Sequence, residues 1–99
     1  MKTVQWIPDL RFDLDPNDVE DFVLNYTTWL EGALASGVTV GIVGSATASA
    51  SVFDWTTAGV VSIRVSGGTV GEVARVTVNL TAVGGRVIER SFLVRFLQL

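Results

Sequence analysis

Ser66 to Phe96 reads SGGTVGEVARVTVNLTAVGGRVIERSFLVRF, and this stretch decides the fold. From Val73 to Ala82 the residues alternate. Val76, Val78, Leu80 and Ala82 share one face, and Arg75, Thr77, Asn79 and Thr81 share the other. Successive side chains of a strand point to opposite sides, so a period of two predicts a strand with one face on a core. Gly84-Gly85 follow and supply the positive φ angles that a tight hairpin turn requires. Arg86 to Leu97 then return, with Phe92, Val94 and Phe96 inward and Leu93, Arg95 and Leu97 outward. Arg90 shares the inward parity. That predicts either a bulge that resets the register or a half-buried guanidinium against a carboxylate, Asp54 or one of Asp13 to Asp21.

Working outward from the hairpin, the turn Ser66-Gly67-Gly68-Thr69 is preceded by Val60 to Val65, with Val61, Ile63 and Val65 inward and Ser62 and Arg64 outward. Gly37 to Val43 places Val38, Val40 and Ile42 on one face, and Gly41 marks a bulge or a close backbone approach. Gly44 to Ser51 is small and polar, a weak strand or a loop, and Val52 to Trp55 reads as a short strand. Asp21 to Thr28 alternates as a strand. Asp15-Pro16-Asn17-Asp18 is a turn with helix-start character, followed by at most one or two helical turns. Several short strands, Gly-rich turns and almost no helix predict an all-β antiparallel sandwich. Residues 15–99 read as its single domain, and residues 1–14 as an extended N-terminal arm in which Pro8 disfavours helix. Trp6, Ile7, Leu10, Phe12 and Leu14 give that arm large apolar groups, which either cover a sandwich edge or dock on another subunit.

Composition narrows the function classes. At 99 residues with 48% hydrophobic residues, the chain is of a size and apolarity to fold as one globular domain. It has no run of about 18 apolar residues, so no membrane-spanning helix is expected. MKTVQWIPDL lacks the apolar core of a signal peptide. There is no Cys and no His, which removes disulfides, thiolate metal sites and the commonest general base and metal ligand. The net charge is −3 and unevenly spread. Residues 1–31 carry seven acids against Lys2 and Arg11, residues 32–59 carry only Asp54, and residues 60–99 carry five Arg against Glu72 and Glu89. These opposite ends can attract within one molecule or head-to-tail between copies. The basic excess is too small and scattered to predict nucleic-acid binding.

No residue pattern carries catalysis. The acidic run from Asp13 to Asp21 fails as a calcium loop, because Asp18 stands where glycine is needed and Leu24 where the bidentate Glu is needed. Its carboxylates sit in a polar turn, without the apolar pocket that tunes an acid–base pair. No Ser or Thr has an evident base. SGGTVG and AVGG lack phosphate-loop spacing and read as turns. Trp6, Trp29 and Trp55 allow a glycan platform only if they converge. The outward apolar groups of the last strand, with those of the arm, are better read as a protein interface: Trp6, Ile7, Leu10, Phe12, Leu93, Arg95 and Leu97. No catalytic, cofactor or metal residue is expected.

Three segments in order carry a likeness: Asp15–Leu30 (DPNDVEDFVLNYTTWL), Ser66–Gly71 (SGGTVG) and Thr81–Phe92 (TAVGGRVIERSF). Together they resemble the small tailed-phage fiber–tail adaptor family. The chain departs from that pattern at Asn25-Tyr26 and at Val73-Ala74-Arg75. The resemblance implies an immunoglobulin-like sandwich. It also implies a non-enzymatic virion structural protein that joins tail or neck proteins to fibers, in several copies forming a homo-oligomeric ring or other symmetric arrangement. The partners would be other virion proteins, with no nucleic acid, membrane or cofactor. The location would be the tail region of the virion, after assembly in the host bacterial cytoplasm. The alternatives are a soluble immunoglobulin-like glycan-binding module and a capsid decoration module.

Overall fold

The structure is a computed structural model that describes residues 2–5 and 10–99. Eight strands and one short helix follow in order: β1 Lys2–Thr3, β2 Arg11–Leu14, β3 Val19–Asn25, α1 Thr27–Leu30, β4 Ala35–Val43, β5 Ser49–Trp55, β6 Val60–Ser66, β7 Val73–Ala82 and β8 Val87–Phe96. They form two four-stranded sheets, ordered β1-β3-β6-β5 and β2-β8-β7-β4. Setting β1 aside as A and β2 as its continuation, the sheets hold A-B-E-D and G-F-C in the immunoglobulin order. The antiparallel body of each sheet is extended by one parallel N-terminal strand: β1 pairs with β3 and β2 pairs with β8. Residues ahead of Asp15 thus contribute an edge strand to each sheet, and Val4 and Leu14 are buried there.

The alternation read from the last third is the alternation of the core. Ala74, Val76, Val78, Leu80 and Ala82 of β7 and Ile88, Phe92, Val94 and Phe96 of β8 are buried, facing Phe22, Leu24, Val61, Ile63 and Val65 of the other sheet. Fully burying one such side chain stabilises the fold by about 1.5–3 kcal/mol. The β7–β8 register runs without a shift from Val73↔Arg95 to Thr81↔Val87, so no bulge accommodates Arg90. Gly84 and Gly85 turn the hairpin at φ of 104° and 97°. Gly68 (φ 93°) is tighter still, because a Cβ there would lie 2.5 Å from the Phe96 ring.

Two local expectations differ. No helix follows Asp15. Its side chain accepts from the Asn17 N–H (2.9 Å) and its carbonyl from the Asp18 N–H (2.9 Å), closing a turn that passes straight into β3. The helix lies later, where the strand was expected to run on to Thr28. Asn25 caps the strand end by accepting from the Thr27 N–H (3.0 Å), and the Trp29 and Leu30 N–H groups both donate to the Tyr26 carbonyl. The bland stretch after Gly44 yields a full seven-residue strand, β5, with a bulge between Val52 and Asp54.

Candidate docking surface

The acidic run is occupied by structural contacts. Asp13 takes a bidentate pair from Arg95 (3.0 and 3.1 Å), and Asp21 takes one from Arg64 (2.8 and 3.1 Å). Asp15 also accepts from the Leu99 N–H (3.0 Å). The hydrogen bonds from Arg95 hold the Asp13 carboxyl below its ordinary pKa, those from Arg64 do the same for Asp21, and the backbone N–H donors of Asn17 and Leu99 do so for Asp15. The acidic N-terminal third and the basic C-terminal third are therefore tied together within one molecule at these pairs. Among the described residues no group of three acidic, His or Cys side chains is placed to hold a metal ion. Tyr26 apart, none of the described polar side chains is buried.

The residues singled out for docking divide into three sets. Trp6 and Ile7 lie outside the described residues. Leu10 and Phe12 turn toward the core: the Phe12 ring stands edge-on to Phe22 (4.9 Å) and to Phe92 (5.8 Å). Leu93, Arg95 and Leu97 are half-buried on the outer face of β8, opposite in parity to Phe92, Val94 and Phe96. Ladder registry places Leu93 between Arg11 of β2 and Arg75 of β7, with Val43 of β4 beyond. The next row runs Asp13, Arg95, Val73. The outer face thus intersperses the apolar groups Val43, Val73 and Leu93 with the cations Arg11, Arg75 and Arg95. Arg75 and Val73 follow from the parity of β7. Arg11 and Val43 come from the strand order, which no local pattern encodes.

A second exposed apolar group sits at the opposite end, around the β7–β8 turn. Leu34, Val83 and Val87 are exposed, and the Val83 N–H donates to the Leu34 carbonyl (2.8 Å). Beneath them Arg90 lays its guanidinium over the Trp29 ring, 4.3 Å from its centre, and Arg86 donates to the Trp29 carbonyl. Arg90 is therefore half-buried as its parity predicts, stacked on an aromatic face and donating to the Glu89 carbonyl (2.6 Å). Asp13 and Asp21, two of the expected carboxylates, pair with Arg95 and Arg64. Trp29 and Trp55 both pack against the core from partly buried positions.

A family model described as podophage GP4 fiber-tail adaptor protein gp77 matches residues 14–95, from the end of β2 almost to the end of β8. No curated protein matches the chain. A match over that span, on an all-β sandwich, places the chain in the podophage fiber-tail adaptor family, structural proteins of the phage tail.

Proposed function

We propose that the chain works as a non-enzymatic joint of the phage particle, holding tail or neck proteins to fibers through docking of its outer β8 face. The observation that carries this reading is the outer sheet face on which Leu93, Val73 and Val43 alternate with Arg11 and Arg75, apolar groups interspersed with cations. Leu93, Arg95 and Leu97 are the contacts on this face, and Trp6, Ile7, Leu10 and Phe12 are the contribution of the N-terminal segment to docking. Phe12 and Leu10 act from below, by fixing β2 beside β8. Several copies stand around the tail axis, each presenting the same face, and assembly takes place in the host cytoplasm. No nucleic acid or membrane is engaged; among the described residues no helix is long and apolar enough to cross one.

Particle fractionation tests this. Tails separated from heads on a density gradient are probed for the chain, in its natural form and as Leu93→Glu/Leu97→Glu. The natural chain is expected with tails. The double variant, whose changes lie on the outer face, is expected to fold and to stay off the particle. Travel with heads would instead make the protein a capsid decoration module. Full incorporation of the variant would remove the β8 face from the interface.

A further inference from the structure

Sheet edges expose unpaired backbone groups, and proteins blunt them with shortness, charge, proline or bulges. Three of the four edges of this sandwich are blunted. β1 has two residues, β2 has four with Arg11 and Asp13 among them, and β5 is bulged and carries Asp54. The fourth, β4, runs nine residues, ASGVTVGIV, with no charge and no proline. Its one irregularity lies at its start, between Ala35 and Gly37.

Hydrogen bonds at both ends of the hairpin fix which groups β4 leaves open. The Ala82 N–H donates to the Arg86 carbonyl (2.8 Å), and the Phe96 N–H donates to the Glu72 carbonyl (3.0 Å). With the register unshifted between them, the even-numbered residues of β7 bond to β8 and the odd-numbered ones to β4. The Ser36 hydroxyl reaching the Thr81 carbonyl (3.1 Å) agrees with that direction. The β4–β7 register then turns Gly37, Thr39, Gly41 and Val43 toward β7. The N–H and C=O groups of Val38, Val40 and Ile42 point away from the sheet, and among the described residues no strand pairs with them. Their side chains pack on the core, so the open edge is held in place.

We propose that this edge pairs with β4 of a second copy, antiparallel about a two-fold axis at Val40, joining the two β2-β8-β7-β4 sheets into one. In that register Val40 meets Val40 of the second copy, Val38 meets its Ile42, and Thr39 meets its Gly41. Each Val40–Val40 and Val38–Ile42 pair exchanges two backbone hydrogen bonds. The occupant follows from the chemistry of the strand. A strand pair about a two-fold axis sets its central residues near their own copies, so a charge there meets a like charge; β4 has none, and Asp54 is the single charge in residues 32–59. The other edges of a copy are too short, charged or bulged to serve. A strand pair of this length lies below the roughly 1,200 Å² of a standard interface, so the dimer is weak alone and is strengthened where copies are held close together. The inference goes beyond the adaptor reading and does not depend on it.

Sedimentation velocity of the purified chain, from micromolar to millimolar concentration, tests it. The natural chain is expected to move toward twice its mass. Thr39→Lys/Gly41→Lys sets lysines opposite lysines and is expected to weaken the dimer by about tenfold or more. Gly41 has open space at its Cβ position and Thr39 is exposed, so the fold accepts both changes. Thr39→Glu/Gly41→Glu should behave the same way, and mixing the two variants should restore dimers. Amide exchange on the unaltered chain gives a readout free of variant folding: Val38, Val40 and Ile42 should gain protection as concentration rises, and β5 should not. A monomer at every concentration overturns the proposal, as does a dimer that the lysine variant leaves intact. Protection of these amides only by a tail or fiber protein would assign the edge to that partner instead.

Discussion

The β7–β8 hairpin and the β4–β5 stretch are built from similar lengths of strand, yet they differ in what their inward side chains reach. Val78, Leu80, Phe92 and Phe96 are fully enclosed. Val38, Val40, Ile42, Ala50 and Val52 are only half-covered. The cause is position in the sheet. β7 and β8 are interior strands, each with a strand on both sides, whereas β4 and β5 are edges. The comparison teaches that the inward pattern of a strand says which face it buries, and its place in the sheet says how much that burial stabilises.

Matched phenylalanines give the largest test of that difference. Phe92→Ala empties the centre of the core, where its ring packs 4.9 Å from Phe22. It should cost about 3–5 kcal/mol, a large share of the 5–15 kcal/mol of a typical domain. Phe53, on β5, is 53% exposed and touches chiefly the Arg64 guanidinium, 4.2 Å from its ring centre. Phe53→Ala should cost about 1 kcal/mol or less. Urea titration of both variants measures the gap. Equal midpoints would mean that the edge is packed as tightly as the centre. A finer test uses one ladder row: Val40 and Val78 are direct partners. Val78→Ala should cost about 2–3 kcal/mol and Val40→Ala about 1 kcal/mol or less, since only the former leaves a closed cavity. A reversal of that order would break the comparison outright.

The same contrast governs what the sequence makes legible. The hairpin was readable to its turn residues because interior strands with one face on the core must alternate. Arg90 kept the inward parity as a charged residue, and it did so through a half-buried contact with Trp29. β5 was not readable at its start, because Ser49, Ala50 and Ser51 are small residues that leave no hydrophobic signal at an edge. The helix at Thr27–Leu30 was hidden for a different reason. One Asn25 side chain ends the strand there, and alternation runs on past it. The outer β8 face was legible by parity for Leu93, Arg95 and Leu97. Its Arg11 and Val43 neighbours depend on strand order, a property of contacts far apart in the chain.

Tyr26 links the interior hairpin to the opposite sheet, and removing the link should cost less than any core truncation. The end of β3 carries this ring, fully buried, and its hydroxyl donates to the Val78 carbonyl (3.0 Å). Burial pushes the phenol pKa up, so the donor proton is kept at all working pH values. Tyr26→Phe preserves the ring and deletes one buried hydrogen bond, an expected loss of about 1 kcal/mol. The Val78 carbonyl faces β8 by the alternation of the ladder and keeps that bond, which limits the penalty. A loss as large as that of Val78→Ala would show that the two sheets are coupled through this hydroxyl more than through packing.

The smallest effect separates the two regions by charge. Asp13, Asp15 and Asp21 all have carboxyl pKa values lowered by hydrogen bonds, those from Arg95, from the Asn17 and Leu99 N–H groups, and from Arg64. A carboxyl whose folded pKa lies below its unfolded value adds stability above the unfolded value, and that stability fades as pH falls through the folded one. The melting temperature should therefore stay level from about pH 7 to about pH 5 and drop below about pH 4. These groups are exposed, so the drop is shallow and salt reduces it. Asp13→Asn/Asp21→Asn should flatten the acid limb, and the effect belongs to the contacts between the N-terminal and C-terminal thirds. Residues 32–59, with Asp54 as their single charge, supply no such pair. An acid limb unchanged in the double variant would move the origin of acid sensitivity away from these pairs and leave the sandwich held at every pH by the interior strands alone.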